Sequence, residues 1–347
     1  MAIVGYGLAG RVFHAPLVDA TPGLVVAAVV TSDAGRAGQV RQQYPGAEVV
    51  PDVNSLFAQA HRFDLVVVAS PNYSHVPLAR GCIEAGLGVV IDKPLAATAA
   101  EGRRLVEEAG TAGVLLTVFQ NRRWDGDFLT VRRLLEEGRL GRVHRFESRF
   151  ERWRPESRRE EWREDPAPAK AGGLLYDLGS HLIDQALVLF GPVATVYAEL
   201  ARVRPGSAVD DDVFLALTHC GGVRSHLWAG SLVASAGPRL RVLGDRAGAT
   251  TYGLDAQESQ LAAGARPGSP GWGVTSGGPP STLGLGETVE ALAELPGSYE
   301  SFYAGVAAAL AGTSGPPVDP RDAVSALEII EAAQRSAAGA GVVELGS

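Results

Sequence analysis

The chain contains 347 residues, more than one ordinary domain needs. Hydrophobic residues make up 46% of the chain and charged residues 20%, a balance that excludes a wholly disordered protein. The net charge is −8, from 31 basic and 39 acidic residues. This charge disfavours nucleic acids and anionic membranes as partners, because both bind basic surfaces.

Targeting signals and cysteines narrow the class of protein further. No apolar run approaches the roughly 20 residues that a membrane span needs. The first residues lead into a predicted strand rather than a charged and then apolar leader, so we expect a cytoplasmic protein. Cys82 and Cys220 are too few for a disulfide framework or a structural zinc site.

The first 120 residues alternate between short apolar runs and longer helical segments. Strands are predicted at 2–4, 24–30, 64–69, 88–91 and 114–118, with helices at 33–43, 74–85 and 98–112. Apolar runs without alternation are typical of parallel strands buried on both faces. We therefore predict a doubly wound α/β domain with a parallel sheet over residues 1–120.

From residue 121 to about 320 the predicted strands are longer and alternate, which indicates an α+β domain. These strands lie at 142–151, 193–203, 212–219, 222–229 and 239–244. Alternation with tight turns predicts an open, largely antiparallel sheet. Residues 264–286, rich in Gly, Pro and Ser, are predicted to form a surface loop, and 299–311 and 320–338 to form helices. Residues 321–347 are expected to pack back on the first domain.

A glycine-rich turn follows the first strand. Gly5, Gly7 and Gly10 have the spacing G-x-G-x-x-G, in which the first glycine makes a tight turn, the second admits a pyrophosphate and the third allows close packing. Leu8 and Ala9 begin the next helix, whose N–H groups would face the phosphates. The motif at this position predicts a dinucleotide-binding Rossmann domain.

The end of the second strand bears on the choice between NAD and NADP. NAD-binding folds place an acid there to hold the ribose 2′-OH. Here Thr31 and Ser32 occupy the position, and Arg36 is near enough to pair with a 2′-phosphate. Asp33 could contact the ribose, but we interpret it as the N-cap of the following helix. NADP is favoured, with NAD as the alternative.

A polar stripe interrupts the apolar segment 172–184. Asp177, His181 and Asp184 are spaced i, i+4 and i+7, which places them on one face of a helix. A carboxylate one turn from an imidazole can orient it as a general base. A buried structural histidine and a three-ligand metal site are the alternatives, and no metal is expected.

A lysine follows the predicted strand at 88–91. Lys93 and Lys170 are the two lysines among the 31 basic residues, and the others are arginines. A lysine at position 93 in a chain that otherwise uses arginine indicates that the shape or the titration of this side chain matters. The carboxyl ends of parallel strands form the ligand crevice, so Lys93 is expected beside the cofactor. A cis peptide bond is expected before Pro94.

Taken together, these residues resemble the Gfo/Idh/MocA oxidoreductase family. The stretches that carry the match are Gly5–Gly10 with Phe13–Pro16, Ser70–His75, Asp92–Leu95, Gln120–Asp125, Gly172–Asp184 and Pro317–Asp319. The segments 13–16 and 121–125 are similar to the NADP-dependent scyllo-inositol dehydrogenase branch. The resemblance implies a Rossmann domain, an open-sheet substrate domain, and hydride transfer between a nicotinamide and a hydroxyl carbon of a cyclic polyol or sugar.

The resemblance also implies roles for individual residues. His181 would take the hydroxyl proton, Lys93 would bind the same oxygen, and Asp177 would position substrate and histidine. Further cofactor contacts are implied for Ser70, Asn72, His75 and Asp92, where Asp92 replaces the family's usual glutamate. Substrate contacts are implied for Arg123, Trp124, Asp125 and Tyr176.

Two other functions share these motifs: a cofactor-dependent glycosidase and a non-catalytic NAD(P)-binding regulator. The regulator is disfavoured because both Lys93 and His181 are present. A homodimer or homotetramer is expected through an uncovered apolar face of the C-terminal sheet. Several side chains could form either a sugar-stacking wall or ordinary packing. They are Trp153, Arg154, Trp162, Arg163, Trp228 and Trp272.

Overall fold

The computed structural model describes residues 1–156 and 164–346, which divide into two compact units. The first unit comprises Met1–Asn121, Gln257–Trp272 and Ser298–Val324. The remaining described residues form the second unit. The first unit therefore contains two later segments that we had assigned to the second domain.

The first unit is built on a six-stranded parallel sheet, which confirms the predicted doubly wound fold. Its strands are β1 (Ala2–Val4), β2 (Ala28–Val30), β3 (Glu48–Val50), β4 (Leu65–Val68), β5 (Gly88–Asp92) and β6 (Leu116–Phe119). They lie in the order β3-β2-β1-β4-β5-β6. The order reverses between β1 and β4, the place where such sheets bind ligands beyond the carboxyl ends of their strands.

Helices flank both sheets. In chain order they are α1 (Ala15–Asp19), α2 (Ala34–Gln43), α3 (Val53–Phe57), α4 (His75–Glu84), α5 (Ala99–Ala112), α6 (Gly126–Glu136), α7 (Ser180–Phe190), α8 (Gln257–Ala262), α9 (Glu300–Leu310) and α10 (Pro320–Arg335). A π-helical turn, Ala9–His14, leads into α1, and a second, Leu175–Gly179, leads into α7.

The second unit contains a nine-stranded sheet that is mostly antiparallel, as predicted. Its strands are β7 (Val143–Glu151), β8 (Val193–Ala201), β9 (Asp212–His219), β10 (Arg224–Gly230), β11 (Leu240–Gly244), β12 (Gly248–Thr251), β13 (Thr282–Leu285), β14 (Thr288–Ala291) and β15 (Val343–Glu344). Their order is β14-β13-β12-β11-β7-β10-β9-β8-β15, and only the β7–β10 pair is parallel among these neighbours.

One expectation about the later chain is wrong. The predicted loop 264–286 contains β13, which pairs with β12 and β14 through backbone hydrogen bonds that its composition does not reveal. The described chain from residue 325 onward belongs to the second unit, where β15 pairs with β8 and the backbone N–H of Ala198 donates to Ser336 Oγ at 2.9 Å. The packing of residues 321–347 on the first domain stays a prediction.

The helix α9 completes the core of the first unit. Its Phe302 and Tyr303 are fully buried, and the Phe302 ring lies 5.0 Å from that of Phe119 at the end of β6. The His14 ring lies 4.4 Å from Phe119 on the same cluster. Aromatic burial of this extent explains why a segment 180 residues beyond β6 belongs to the first unit.

The uncovered face of the second sheet is charged rather than broadly apolar, contrary to expectation. Glu147 lies 3.2 Å from Arg145, 3.1 Å from Arg149 and 3.5 Å from Arg241. The Arg149 guanidinium stacks 4.0 Å from the centre of the Trp228 ring. Arginine and glutamate side chains thus cover the aromatic residues of this face.

Candidate functional site

The glycine-rich turn has the shape that the motif predicts. Gly5 has a φ of +95°, and a Cβ atom there would lie 2.7 Å from the Ala69 carbonyl oxygen. A Cβ atom on Gly10 would lie 2.1 Å from the Gly5 carbonyl oxygen. Both positions therefore require glycine. A Cβ atom on Gly7 would meet no described atom within 4 Å, so the backbone of Gly7 is open to a ligand.

The residues after this turn fit a dinucleotide. Leu8 is 56% exposed and Ala9 is half-buried at the start of the first helical segment. The first N–H groups of a helix have no partner within the helix, and they favour a phosphate. The open backbone at Gly7 beside these N–H groups is the arrangement that a pyrophosphate needs.

The end of β2 exposes the residues predicted to select the cofactor. Asp33 is the N-cap of α2, as predicted, because its Oδ1 accepts from the Arg36 backbone N–H at 2.7 Å. Ser32 and Arg36 are exposed, and Thr31 is half-buried with its Oγ1 3.3 Å from the Asp33 backbone N. Hydroxyl and guanidinium groups are therefore accessible at this strand end.

The loop after β4 is held by its own side chains. Ser70 Oγ lies 2.6 Å from Ser74 Oγ, and Ser74 donates to the Pro71 carbonyl oxygen at 2.6 Å. Asn72 is buried in the short helical turn that follows Pro71. The loop therefore presents a fixed backbone beside the glycine-rich turn.

His75 has a different position from the one expected of a residue that touches the cofactor. It is 1% exposed, and its Nδ1 and Nε2 atoms each lie 2.8 Å from a carbonyl oxygen, of Pro94 and Ser70 respectively. The imidazole therefore connects the loop after β4 to the turn after β5. Its side chain holds these two segments in place, and a contact between His75 and the cofactor stays a prediction.

Lys93 lies in a turn at the end of β5. The peptide bond between Lys93 and Pro94 is cis, as predicted. Asp92 Oδ1 accepts from the Lys93 backbone N–H at 2.9 Å, and both residues are half-buried. The carboxylate of Asp92 thus fixes the main chain of Lys93.

A buried histidine behind this turn escaped the sequence reasoning as a site residue. His14 is fully buried, its Nδ1 lies 2.6 Å from the Tyr303 hydroxyl, and its Nε2 lies 4.0 Å from Asp92 Oδ1. Burial lowers the pKa of His14 to about 4, although Asp92 raises it and His75 lowers it further. The sequence feature that could have identified His14 as a site residue is a histidine at the start of an otherwise apolar helix.

In the second unit, a π-helical turn divides the polar stripe. Asp177 lies within that turn and is half-buried, whereas the nearly fully buried His181 and Asp184 lie in α7. A π-helical turn closes i→i+5 hydrogen bonds, so the regular α-helical spacing predicted for all three residues holds only for His181 and Asp184. Tyr176, in the same turn, is buried.

Asp184 is paired with Arg123, a predicted substrate residue. Arg123 Nε and Nη2 donate to the two carboxylate oxygens of Asp184 at 2.8 and 2.7 Å. Next to this pair, Gln185 Nε2 donates to the Arg122 carbonyl oxygen at 2.8 Å. The pair therefore fixes α7, and with it His181, to the turn at 121–124.

Asp125 belongs to a buried ion-pair network, and its contact with a substrate stays a prediction. It is fully buried, and its Oδ2 lies 3.3 Å from Arg122 Nη1. Arg239 Nε lies 3.6 Å from Asp127, whose pKa is raised to about 6 by burial although Arg239 opposes this. The network neutralises charges that would be costly to bury alone.

The ring of Phe150 connects this network to His181. The guanidinium carbons of Arg122 and Arg239 lie 4.8 and 3.9 Å from the centre of that ring. The His181 ring lies 6.4 Å from it in an edge-on arrangement. Sequence reasoning missed Arg239 and Phe150, which follow no local motif.

The described tryptophans are distributed over both units. Trp272 belongs to the first unit, where its Nε1 donates to Glu300 at 2.9 Å. Trp153 is exposed, Trp228 lies under Arg149, and Trp124 is half-buried. Trp162 and Arg163 lie outside the described residues.

The predicted catalytic residues are distributed over both units. Lys93 belongs to the first unit, and Asp177 and His181 belong to the second. Their cooperation in one active site stays a prediction. Among residues 1–156 and 164–346, no group of three or more His, Cys, Asp and Glu could hold a metal ion, and no helix has the length and apolar character needed to cross a membrane.

Sequence comparisons agree with this architecture. An oxidoreductase-family NAD-binding Rossmann fold matches residues 1–120, and an oxidoreductase-family C-terminal alpha/beta domain matches residues 132–345. The chain is 40% identical over 339 residues to the uncharacterized oxidoreductase YdgJ of Escherichia coli strain K12, covering 97% of this chain and 96% of that protein.

Two further relatives cover nearly the whole chain. The chain is 36% identical over 340 residues to IolW of Bacillus subtilis strain 168, a scyllo-inositol 2-dehydrogenase (NADP(+)), covering 97% of this chain and 93% of that protein. The solved structure of the YPO2259 protein of Yersinia pestis has a TM-score of 0.92 at 40% identity, covering 100% of this chain and 97% of that chain.

The buried Arg123–Asp184 pair yields a stability prediction. We expect Asp184→Asn to lower the free energy of unfolding by about 3 kcal/mol, because it removes the negative charge that Arg123 Nε and Nη2 bind in a buried site. Thermal unfolding followed by circular dichroism measures the change. Arg132→Ala is the matched control, since its pair with Glu136 is more than half exposed, and it should change stability by less than about 1 kcal/mol. Equal effects of the two variants would contradict the prediction.

His14 yields a prediction about pH. In the unfolded chain this histidine has its ordinary pKa of 6.5, whereas burial in the folded protein lowers the pKa to about 4. Because the unfolded chain binds the proton first, the contribution of His14 to stability is lost as the pH falls from 6.5 to 4. We expect the wild type to lose about 3 kcal/mol in this window relative to His14→Gln. Urea unfolding at pH 7 and pH 4 measures this difference.

The comparison with His14→Gln is needed because other groups titrate in the same range. Burial raises the pKa of Asp127 and of Asp210 to about 6, so their contributions grow as the pH falls. Both variants retain these groups, and subtraction removes them. Parallel pH profiles for the wild type and His14→Gln would show that His14 does not titrate as its burial implies.

Proposed function

Because the chain belongs to the Gfo/Idh/MocA family of oxidoreductases, we propose that it is an NADP-dependent dehydrogenase of a cyclic polyol or sugar related to inositol. One observation carries the proposal. The neighbouring parallel strands β2, β1, β4 and β5 end at one edge of the sheet, so Ser32, the turn at Gly7, the loop at Ser70 and Lys93 lie along that edge. A nicotinamide dinucleotide requires this order of groups.

The proposed cofactor contacts follow the same edge. Gly5, Gly7 and Gly10, with Leu8 and Ala9, would hold the pyrophosphate. Thr31, Ser32 and Arg36 would hold the 2′-phosphate of NADP. The carboxylate of Asp33 is engaged as the N-cap of α2, so NADP is favoured over NAD. Ser70, Asn72 and Asp92 would border the nicotinamide ribose. NADP supplies the hydride acceptor when bound.

The protein's own residues would handle the proton and the charge. In the oxidation, the imidazole of His181 would take the proton of the substrate hydroxyl. The ammonium group of Lys93 would stabilise the negative charge that develops on that oxygen. Asp177 would position both the substrate and His181, while the Arg123–Asp184 pair keeps α7 in place.

The substrate class rests on similarity to a named relative. The chain is similar over 97% of its length to a scyllo-inositol 2-dehydrogenase (NADP(+)). The segments at 13–16 and 121–125 are those in which the sequence resembles that branch. Two of the residues in the second segment, Arg123 and Asp125, support other side chains in the structure, so Trp124 is the better candidate for a direct substrate contact.

The activity is tested with purified protein, NADP+ and a panel of inositols and aldoses, by following the absorbance of reduced nicotinamide. We expect Lys93→Ala and His181→Ala each to lower kcat at least about 100-fold, because each removes a group that acts in the transition state. The dissociation constant for NADPH, from fluorescence titration, should change little.

The chain offers matched controls for both variants. Lys170→Ala changes the other lysine, and His226→Ala changes a histidine on the uncovered face of the second sheet, so both should retain activity. Cofactor binding without turnover of any member of the panel would favour the regulator instead. Release of an alcohol from a glycoside, with no net reduction of NADP+, would favour the glycosidase.

The cofactor preference is tested at the end of β2. We expect Ser32→Asp combined with Arg36→Ala to weaken NADPH binding about 10- to 100-fold relative to NADH, because it replaces donors to the 2′-phosphate by a negative charge. Arg41→Ala, which changes an exposed arginine at the other end of α2, is the control. If the wild type binds NADH as tightly as NADPH, the preference for NADP is wrong.

We propose that the protein is a homodimer or homotetramer through the uncovered face of the second sheet. The charge ladder around Glu147 and the Arg149–Trp228 stack suit a polar interface with aromatic anchors. Light scattering at micromolar concentration should give two or four times the chain mass, and Trp228→Glu should lower it. A monomeric wild type would refute this assembly.

A further inference from the structure

The most unusual buried group outside the proposed contacts is His14. It is fully buried in the first unit, with the rings of Phe119 and Tyr303 against it. The proposed hydride transfer assigns it no role. Its two ring nitrogens nevertheless point at polar groups, and one of those groups belongs to the residue before Lys93.

The hydrogen-bond direction at His14 follows from the protonation of its neighbours. The pKa of His14 is lowered to about 4 by burial, so the imidazole is neutral near pH 7. Burial raises the pKa of Tyr303 well above its ordinary value, so the phenol keeps its proton. A neutral imidazole carries one N–H, and the Asp92 carboxylate 4.0 Å from Nε2 favours that hydrogen on Nε2. Nδ1 then accepts from the Tyr303 hydroxyl at 2.6 Å.

That Nε2–H faces the carboxylate of Asp92. The distance from Nε2 to Asp92 Oδ1 is 4.0 Å, longer than a hydrogen bond, and Nε2 has no hydrogen-bond partner among the described residues. At this range the N–H dipole still attracts the carboxylate, because the His14 side chain is fully buried and electrostatic interactions are less screened in a protein interior than in water. The same Oδ1 atom accepts from the backbone N–H of Lys93 at 2.9 Å.

A second histidine holds the other side of Lys93. His75 Nδ1 lies 2.8 Å from the carbonyl oxygen of Pro94. Lys93 thus lies between two residues that each face a buried imidazole. The Asp92 carboxylate faces His14, and the Pro94 carbonyl faces His75. On the Asp92 side, the Tyr303 hydroxyl fixes the tautomer of His14.

We propose that His14, with its tautomer set by Tyr303, is a positioning residue that orients the Asp92 carboxylate and thereby the main chain of Lys93. The inference rests on the proposed function, in which Lys93 binds the reacting oxygen. A displacement of about 1 Å at a reacting group can lower a rate about 100-fold, so orientation of this turn matters for turnover. Cofactor binding through the glycine-rich turn does not depend on it.

Three variants separate positioning from simple packing. His14→Gln places an amide N–H where Nε2–H lies and so keeps the donor toward Asp92. His14→Asn places its amide near Nδ1 and loses that donor. Tyr303→Phe removes the hydroxyl that fixes the tautomer. A merely structural histidine would make the two His14 variants equivalent.

The activity of the holoenzyme is the first measurement. We expect kcat to fall about 10- to 100-fold in His14→Asn and to stay within about 3-fold of the wild type in His14→Gln. The kcat of Tyr303→Phe should lie between the values of the two His14 variants. The KM for NADP+ should change little in all three variants. Equal losses in His14→Asn and His14→Gln would overturn the proposal.

The second measurement does not require turnover. The chain has two lysines, so reductive methylation with 13C-formaldehyde gives two lysine signals in an NMR spectrum, and Lys170→Arg assigns them. We expect the Lys93 signal to shift or broaden in His14→Asn and Tyr303→Phe and to keep its position in His14→Gln. The Lys170 signal should be constant in all of them.

These two measurements distinguish a failed positioning role from a failed function. If the wild type oxidises no polyol but the Lys93 signal responds as expected, the proposed function is wrong and the positioning of Lys93 stands. If the folded His14→Asn variant, checked by circular dichroism, has the wild-type Lys93 signal, the positioning role is wrong whatever the activity.

Discussion

The turn after β5 has a fixed main chain at Lys93 although the backbone there leaves the sheet. The carboxylate of Asp92 binds the Lys93 main chain, and His75 reaches the Pro94 carbonyl. Polar contacts within a buried environment are directional, so they fix orientation as well as position. Because the other ring nitrogen of His75 reaches the Ser70 carbonyl, the same side chain also connects this turn to the loop after β4.

Much of the rigidity behind this edge comes from residues far along the chain. Phe302 and Tyr303 on α9 fill the core next to β6, and Tyr303 also provides the hydroxyl partner of His14. A single helix therefore contributes both apolar packing and the direction of a hydrogen bond. The second unit uses a comparable principle around Phe150, whose ring lies close to two guanidinium groups that are themselves paired with carboxylates.

The sequence predicted the parallel sheet and its glycine-rich turn because apolar runs and glycine spacing are local signals. It missed β3, a three-residue strand that begins with a glutamate, and it did not predict that the Asp125 carboxylate pairs with Arg122. The sequence around Arg123 cannot show whether this arginine pairs with a ligand or with Asp184, which lies 61 residues further along the chain. It also cannot show that residues 298–324 return to the first unit, since tertiary packing between distant segments decides it.

The two ends of the nine-stranded sheet are unlike its centre. At one end β15 offers only Val343 and Glu344 to a neighbour, and at the other the short strand β14 carries the charge of Glu290, paired with Arg139. Exposed strand edges normally invite the addition of foreign strands, and brevity and charge both discourage it. The margins of this sheet therefore resist the uncontrolled addition of further strands.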